Sequence, residues 1–405
     1  MKPFDVTAFR NAFPILAREI HGKPLVYLDS AASAQKPEAV IEAMAHAMRH
    51  SYANVHRGLH TLANETTDAY EAARAAAARL VGAASPDNMV FTKGATEAIN
   101  LVAAGLGRQL APGDEILLSE LEHHANYVPW HFLRERGVVL RFAPVTDLGE
   151  IDMDGLEALV TPRTRLITLT HMSNVTGART DVARVVAAAR AVGAQVLLDG
   201  CQAVVHQRVD VTALDIDYYV FSSHKLFGPT GLGFLYGKAD RLAALPPYQG
   251  GGEMIASVGL DAITFADPPH RFEAGTPPIL EAIGFRAAVD FIEALDRDGA
   301  EAHEQSLYRH VRDALRGDNT VRVLGDSAEK GPILTFVLDG AHAHDLAQIL
   351  DRYGVAVRAG THCAEPLMRR FGVTSSTRVS FAPYNTVDEA EAFLTALDKA
   401  RRFFG

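Results

Sequence analysis

Cysteine is nearly absent from this chain of 405 residues: only Cys201 and Cys363 occur. Two thiols cannot build a disulfide framework. Neither has a CxxC partner or a Cys/His ligand spacing, so no metal site is expected. Such usage fits a reducing compartment. Long apolar runs are missing as well, and nothing approaches the roughly 20 residues that a spanning helix needs. The opening MKPFDVTAFRNAFPIL has no uninterrupted apolar stretch and no cleavage signal. An excess of basic residues is also lacking: 39 Lys and Arg stand against 49 Asp and Glu, for a formal net charge of -10. That balance argues against nucleic acid or an anionic membrane surface as partner. The expected location is the cytoplasm, and internal repeats and low-complexity tracts are absent.

What is present is an alternation of short apolar runs with helical patterns. MVFT (89–92), EILLS (115–119), RLITLT (165–170), QVLLD (195–199) and YYVFS (218–222) read as buried strands. Ala-rich stretches such as DVARVVAAARAVG lie between several of them, which implies a mostly parallel sheet wrapped by helices. DAYEAARAAAARLVG is a further helix, with Thr66 or Thr67 as its expected cap. From about residue 290 the pattern becomes a smaller α+β unit. One long helix is expected from Glu281 through Ala314, followed by ILTFVL, a helix near 344–353, VAVRAG, VSFA and a closing helix over 387–404. The expected division is a large α/β domain over 22–290 and a small domain made of 1–21 with 291–405, which carries Cys363.

In open α/β sheets, ligands bind beyond the carboxyl ends of the strands. After MVFT, the residues Gly94, Ala95 and Thr96 open a helix whose N–H groups suit a phosphate. After EILLS stand His123 and His124. After RLITLT come Ser173 and Asn174, QVLLD ends on Asp199 with Gln202 just beyond, and YYVFS ends on Ser222 before His224 and Lys225. Singly, each of these has a purely structural reading as a cap, a polar rim or a solvated lysine. Together, a phosphate cradle, a strand-end carboxylate and a lysine after a buried strand are the parts that bind pyridoxal 5'-phosphate. The amine forms a Schiff base with the aldehyde, and the carboxylate keeps the ring nitrogen protonated.

The stretches YLDSAASAQKP, NVHRGLHTLA, EHHANYVPW, SNVTG, SSHKLFGPTG, RFEAGTP and RAGTHCAEP extend this set over essentially the whole chain. With them the sequence resembles the cysteine desulfurases. These are pyridoxal phosphate enzymes of fold type I in the class V aminotransferase family, and the match is to the group typified by the sulfur-mobilisation (Suf) desulfurase and cysteine sulfinate desulfinase. The resemblance implies that Lys225 carries the cofactor and serves as base, that Asp199 pairs with the ring nitrogen, and that His123 stacks on the ring and assists proton transfer. It places Gln202 and Asn174 near the ring hydroxyl, and Thr96, Ser222 and His224 at the phosphate. Thr276 would join them from the partner subunit of a homodimer.

Arg378 would clamp the substrate carboxylate, Arg358 would lie close by, and His56 and Arg57 would form the active-site rim. Cys363 would be the nucleophile that takes sulfur from L-cysteine as a persulfide, leaving alanine. Arg358 and His362 beside it would favour the thiolate electrostatically. The sulfur would pass to a SufE- or SufU-type acceptor for iron–sulfur cluster assembly. A selenocysteine lyase or a cysteine sulfinate desulfinase is the alternative reading. Thr361 stands where some relatives have histidine. Cys201 stands where relatives usually have alanine, and it reads as a small structural residue behind the ring.

Overall fold

The computed structural model describes residues 4–404. Its centre is a seven-stranded sheet formed by β1 (Met89–Thr92), β2 (Glu115–Ser119), β3 (Val139–Ala143), β4 (Thr164–Thr170), β5 (Gln195–Asp199), β6 (Tyr218–Ser222) and β7 (Gly233–Gly237). The order across the sheet is β1-β7-β6-β5-β4-β2-β3. Only β7 runs antiparallel to its neighbours, β1 and β6; the other pairings are parallel. Helices cover both faces, which is why β1, β2, β6 and β7 are buried along their whole length and read as continuous apolar runs. The register sets Thr170 beside Asp199 and Asp199 beside Val220, so the ends of three strands meet at one edge.

A second, four-stranded antiparallel sheet holds the C-terminal part. Its strands are β8 (Val321–Val323), β9 (Ile333–Leu338), β10 (Arg358–Gly360) and β11 (Ser376–Ser380), in the order β8-β9-β11-β10. Val26–Tyr27 pairs in parallel with Val355–Ala356, and Asp29 bridges to Ser380. Residues 26–29 are therefore tied to the C-terminal sheet. The boundary expected at residue 22 does not follow that pairing, because backbone hydrogen bonds carry the chain across it.

Two helical expectations are corrected. The helix α1 (Thr61–Val81) starts earlier than its Ala-rich face suggested, with His60 as N-cap accepting from the Ala63 N–H. Thr66 and Thr67 lie inside it and donate their hydroxyls to Leu62 O and Ala63 O one turn back, so neither is a cap. The long helix expected over 281–314 is two, α2 (Ile279–Glu293) and α3 (Arg297–Leu315). Asp296 breaks the pattern by capping α3 through Gly299 N–H at 3.1 Å.

Candidate active site

A cavity of about 420 Å³ opens at the carboxyl edge of the large sheet, where it faces the C-terminal sheet. From β1 to β5 the large sheet contributes Thr96, His123, Asn174, Asp199 and Gln202 to the lining. Ser222, His224 and Lys225 follow from the end of β6, and Arg358, Cys363 and Arg378 come from the C-terminal unit. His56, Arg57 and Thr276 are not among its lining residues. His56 and Arg57 instead flank a second cavity of about 260 Å³, together with Glu253, His270 and the Gly275 and Pro277 that bracket Thr276. Within one chain, these three expected site residues are therefore apart from the rest.

The phosphate-like end is built by close backbone approach. The 13-residue helix Ala95–Gly107 begins where Ala95 N–H donates to Ser222 Oγ at 2.9 Å. A Cβ at Gly233 would lie 2.4 Å from Gly94 Cα, so only glycine lets β7 pass behind this helix start. At the opposite end, Asp199 accepts the Cys201 N–H with Oδ1 at 3.0 Å, and no basic side chain pairs with its carboxylate among the described residues. The Lys225 amine has neither a hydrogen bond nor an ion pair there. An unpartnered lysine, a half-engaged strand-end carboxylate and a helix N-terminus around one cavity fit pyridoxal phosphate.

Gln202 donates to Ala31 O and Asn174 to His362 O, both at 2.8 Å, which fixes each amide and leaves its oxygen available. Burial, reinforced by the charge of Lys225, pushes the His123 imidazole down to about 4. Its Nδ1 accepts the Ala125 N–H at 3.0 Å, so in the neutral ring the proton sits on Nε2. His224 is likewise pushed down to about 4 by burial, then by Lys225 and Lys36.

Cys363 is exposed at the mouth, and its main chain is held in a strained turn. His362 and Cys363 both have left-handed backbone conformations, φ 54° and 56°, rare outside glycine. Hydrogen bonds pin that turn: His124 N–H donates to Cys363 O at 2.6 Å, and Glu365 N–H donates to His124 Nε2 at 3.1 Å. His124 thus ties the thiol loop to the strand end that carries His123. The sequence marked it only as a neighbour of His123.

The expectation that His362 favours the thiolate is overturned. Its ring is buried against Ser376 Oγ at 3.0 Å, and burial, with Arg378 and Arg358 adding, pushes it down to about 3. It is neutral at any physiological pH.

Arg378, 3% exposed, lies directly across the strands from Arg358. Two guanidiniums opposed in this way repel unless compensated. Asp29 supplies the compensation, 3.2 Å from Arg378 and 3.9 Å from Arg358. Burial pushes its carboxyl upward against the pull of both arginines. Asp29 and Tyr27 line the cavity, but the sequence reading gave them no role. The strand-end position of Asp29 in VYLD was the available signal. Cys201 also lines the cavity, with its thiol pushed up to about 12 by burial.

Comparison with known proteins places this architecture. The aminotransferase class-V family model matches residues 26–393. A cysteine desulfurase of Dickeya dadantii is 49% identical over 405 residues, covering 99% of this chain and 98% of its own. The crystal structure of the cysteine desulfurase CsdA (S-sulfonic acid) from Escherichia coli superposes with a TM-score of 0.93 at 41% identity, with 100% of both chains covered. An apo cysteine desulfurase from Thermococcus onnurineus NA1 gives 0.93 at 33% identity, covering 100% of this chain and 99% of its own. The chain belongs to the class-V aminotransferase family and, within it, to the cysteine desulfurases, with the fold type I architecture of pyridoxal phosphate enzymes.

Proposed function

We propose that this chain converts L-cysteine to L-alanine and retains the sulfur as a persulfide on Cys363. The observation that carries the reading is the convergence of the exposed Cys363 thiol, the unpartnered Lys225 amine and the Asp199 carboxylate on one cavity. Asp199 would meet the ring nitrogen of pyridoxal 5'-phosphate, and Gln202 and Asn174 the ring hydroxyl through their free amide oxygens. Thr96, Ser222 and His224 would hold the phosphate. When bound, the cofactor supplies an electron sink conjugated to the substrate α-carbon.

The chain's own residues do the rest. Arg378 anchors the substrate carboxylate, and Arg358 widens the positive field at the mouth. Lys225 Nζ takes the α-proton, and His123 Nε2 holds a proton beside it. The Cys363 thiolate forms a bond to the substrate sulfur while the Cβ–S bond breaks. That electron pair stays with the three-carbon fragment, which is protonated and leaves as alanine. That its relatives are named cysteine desulfurases weighs for this substrate over selenocysteine or cysteine sulfinate.

A homodimer is part of the proposal. The hairpin of Ile255–Val258 and Ile263–Phe265 exposes Val258, Ile263 and Phe265, and Leu260 at its tip is fully exposed, as is Leu59 nearby in sequence to His56. So much bare apolar surface beside the cavity of His56, Arg57 and the Thr276 segment suits a second copy, bringing Thr276 to the partner's phosphate and His56 and Arg57 to its rim. The sulfur acceptor would be a SufE- or SufU-type protein serving iron–sulfur assembly in the cytoplasm. Among the described residues no helix is long and apolar enough to cross a membrane.

The test is to follow alanine release and persulfide labelling with L-cysteine. Wild type should give both, and Cys363→Ser neither. Alanine formed by Cys363→Ser at the parental rate would overturn the persulfide route. Leu260→Glu should yield a monomer by light scattering, whereas a variant that elutes like wild type would refute the hairpin interface.

A further inference from the structure

Lys36 is a half-buried lysine behind the cavity that the reaction leaves without a role. The segment Ser33–Lys36 closes over the turn that carries Lys225, and three of its donors converge on one acceptor, the His224 carbonyl. Ala34 N–H reaches it at 3.1 Å, Lys36 Nζ at 3.0 Å and Ser33 Oγ at 3.4 Å. That carbonyl belongs to the peptide joining His224 to Lys225, so the contact grips the backbone of Lys225 itself. The Lys36 ammonium also donates to Ala34 O at 2.5 Å. It forms no ion pair among the described residues. An ammonium withdrawn from water and met only by carbonyls is an uncompensated charge. Burial pushes its amine down to about 8, and its field reaches the His224 ring.

We infer that Lys36 is a positioning residue for the cofactor: it fixes the Lys225 peptide and offers an uncompensated positive charge to the phosphate group held at His224, Ser222 and Thr96. The inference rests on the reading that pyridoxal phosphate occupies the cavity. It explains why a cation without a carboxylate persists there: the missing counter-charge is the dianion. Lys36 is 188 residues from His224 in the chain, which hides the pairing from any local motif.

The experiment compares wild type with Lys36→Gln, Lys36→Met and Lys36→Arg, each stripped of cofactor and retitrated with pyridoxal phosphate. Dissociation constants come from absorbance, and Tm is measured with and without cofactor. Gln keeps an amide donor for the two carbonyls but loses the charge, Met loses both, and Arg keeps the charge. The expected result is an affinity loss on the order of tenfold for Gln, corresponding to loss of one charge–phosphate interaction. A larger loss is expected for Met and near-parental binding for Arg. The apo Tm of Gln should stay at or above wild type, while the Tm gain on loading shrinks.

Parental affinity in both Gln and Met overturns the inference. So does an apo Tm that falls as far as the loaded Tm, since Lys36 would then be purely structural. If the Met variant is insoluble, the Gln variant decides alone. A wild-type chain that takes up no pyridoxal phosphate overturns the functional reading and this inference with it. Wild-type uptake with unchanged variants overturns the inference only.

Discussion

Replacing Glu122 with Gln isolates one buried carboxyl directly beneath the candidate site. Glu122 precedes His123 and is 0% exposed. Its Oε1 lies 2.6 Å from Ser119 Oγ, and Oε2 accepts from Asn126 Nδ2 at 2.7 Å. Asn126 Oδ1 in turn accepts from Thr168 Oγ1 at 2.6 Å and Trp130 Nε1 at 3.1 Å. No cation pairs with Glu122 among the described residues. Burial therefore pushes its carboxyl from 4.5 up to about 8, with the charge of Asp199 adding to the rise.

An acid whose pKa is raised by folding binds more protons in the native state over that interval. Its contribution is fully present below the unfolded value, is lost as pH climbs from about 4.5 to about 8, and is level above. Each pH unit costs about 1.4 kcal/mol, so the 2.5 units up to pH 7 cost about 3 kcal/mol. Gln reproduces the shape and hydrogen bonding of the protonated acid and carries no such penalty. The Tm of Glu122→Gln should match wild type near pH 5 and exceed it by on the order of 5 °C at pH 7. Thermal scans across pH 5 to 8 read the gap. A gap that stays constant with pH would refute the claim that this carboxyl is held protonated by burial.

Three further outcomes follow from other contacts. Arg74, 1% exposed, grips Glu273 at 2.6 and 2.9 Å and Glu71 at 2.8 Å, so Arg74→Ala strands the buried Glu273 carboxylate and should cost about 3–5 kcal/mol in denaturant unfolding; a loss under about 1 kcal/mol would show that water reaches it. Cys201→Ala should keep cysteine activity and Cys363 labelling within about twofold, because a thiol pushed up to about 12 is not a nucleophile at neutral pH; loss of labelling at Cys363 would assign Cys201 a chemical part. His362→Asn suits the left-handed backbone and removes an imidazole that is already neutral, so the alkylation rate of Cys363 at neutral pH should change less than about twofold. A tenfold drop would restore His362 as an electrostatic partner of the thiol.

The central strands were legible because burial on both faces leaves an apolar run that needs no knowledge of its neighbours. Gly233–Gly237 escaped notice because glycines bound it, although it is the strand that Gly94 packs against. Helix termini were less legible. The start of α1 depends on His60 and the break at Asp296 on a single cap, both weaker in sequence than the periodicity on either side. Of the candidate site, the residues directly after strands were legible, since an open sheet sends the carboxyl ends of its parallel strands to the same edge. Asp29 was not, because its meaning comes from arginines 329 and 349 positions away.

By itself, the order of residues determined five of the seven strands of the large sheet, that a carboxylate ends one strand while a lysine and a thiol lie just beyond others, and which family the chain resembles. Those properties are local, set by side-chain periodicity and by motifs a few residues long. Only tertiary structure decided that His362 is neutral, that Asp29 separates two opposed arginines, that Lys36 grips the peptide before Lys225, and that His56, Arg57 and Thr276 stand apart from the cavity. Charge state and reach depend on desolvation and on distances between residues remote in the chain, and these exist only once the two sheets have closed on each other.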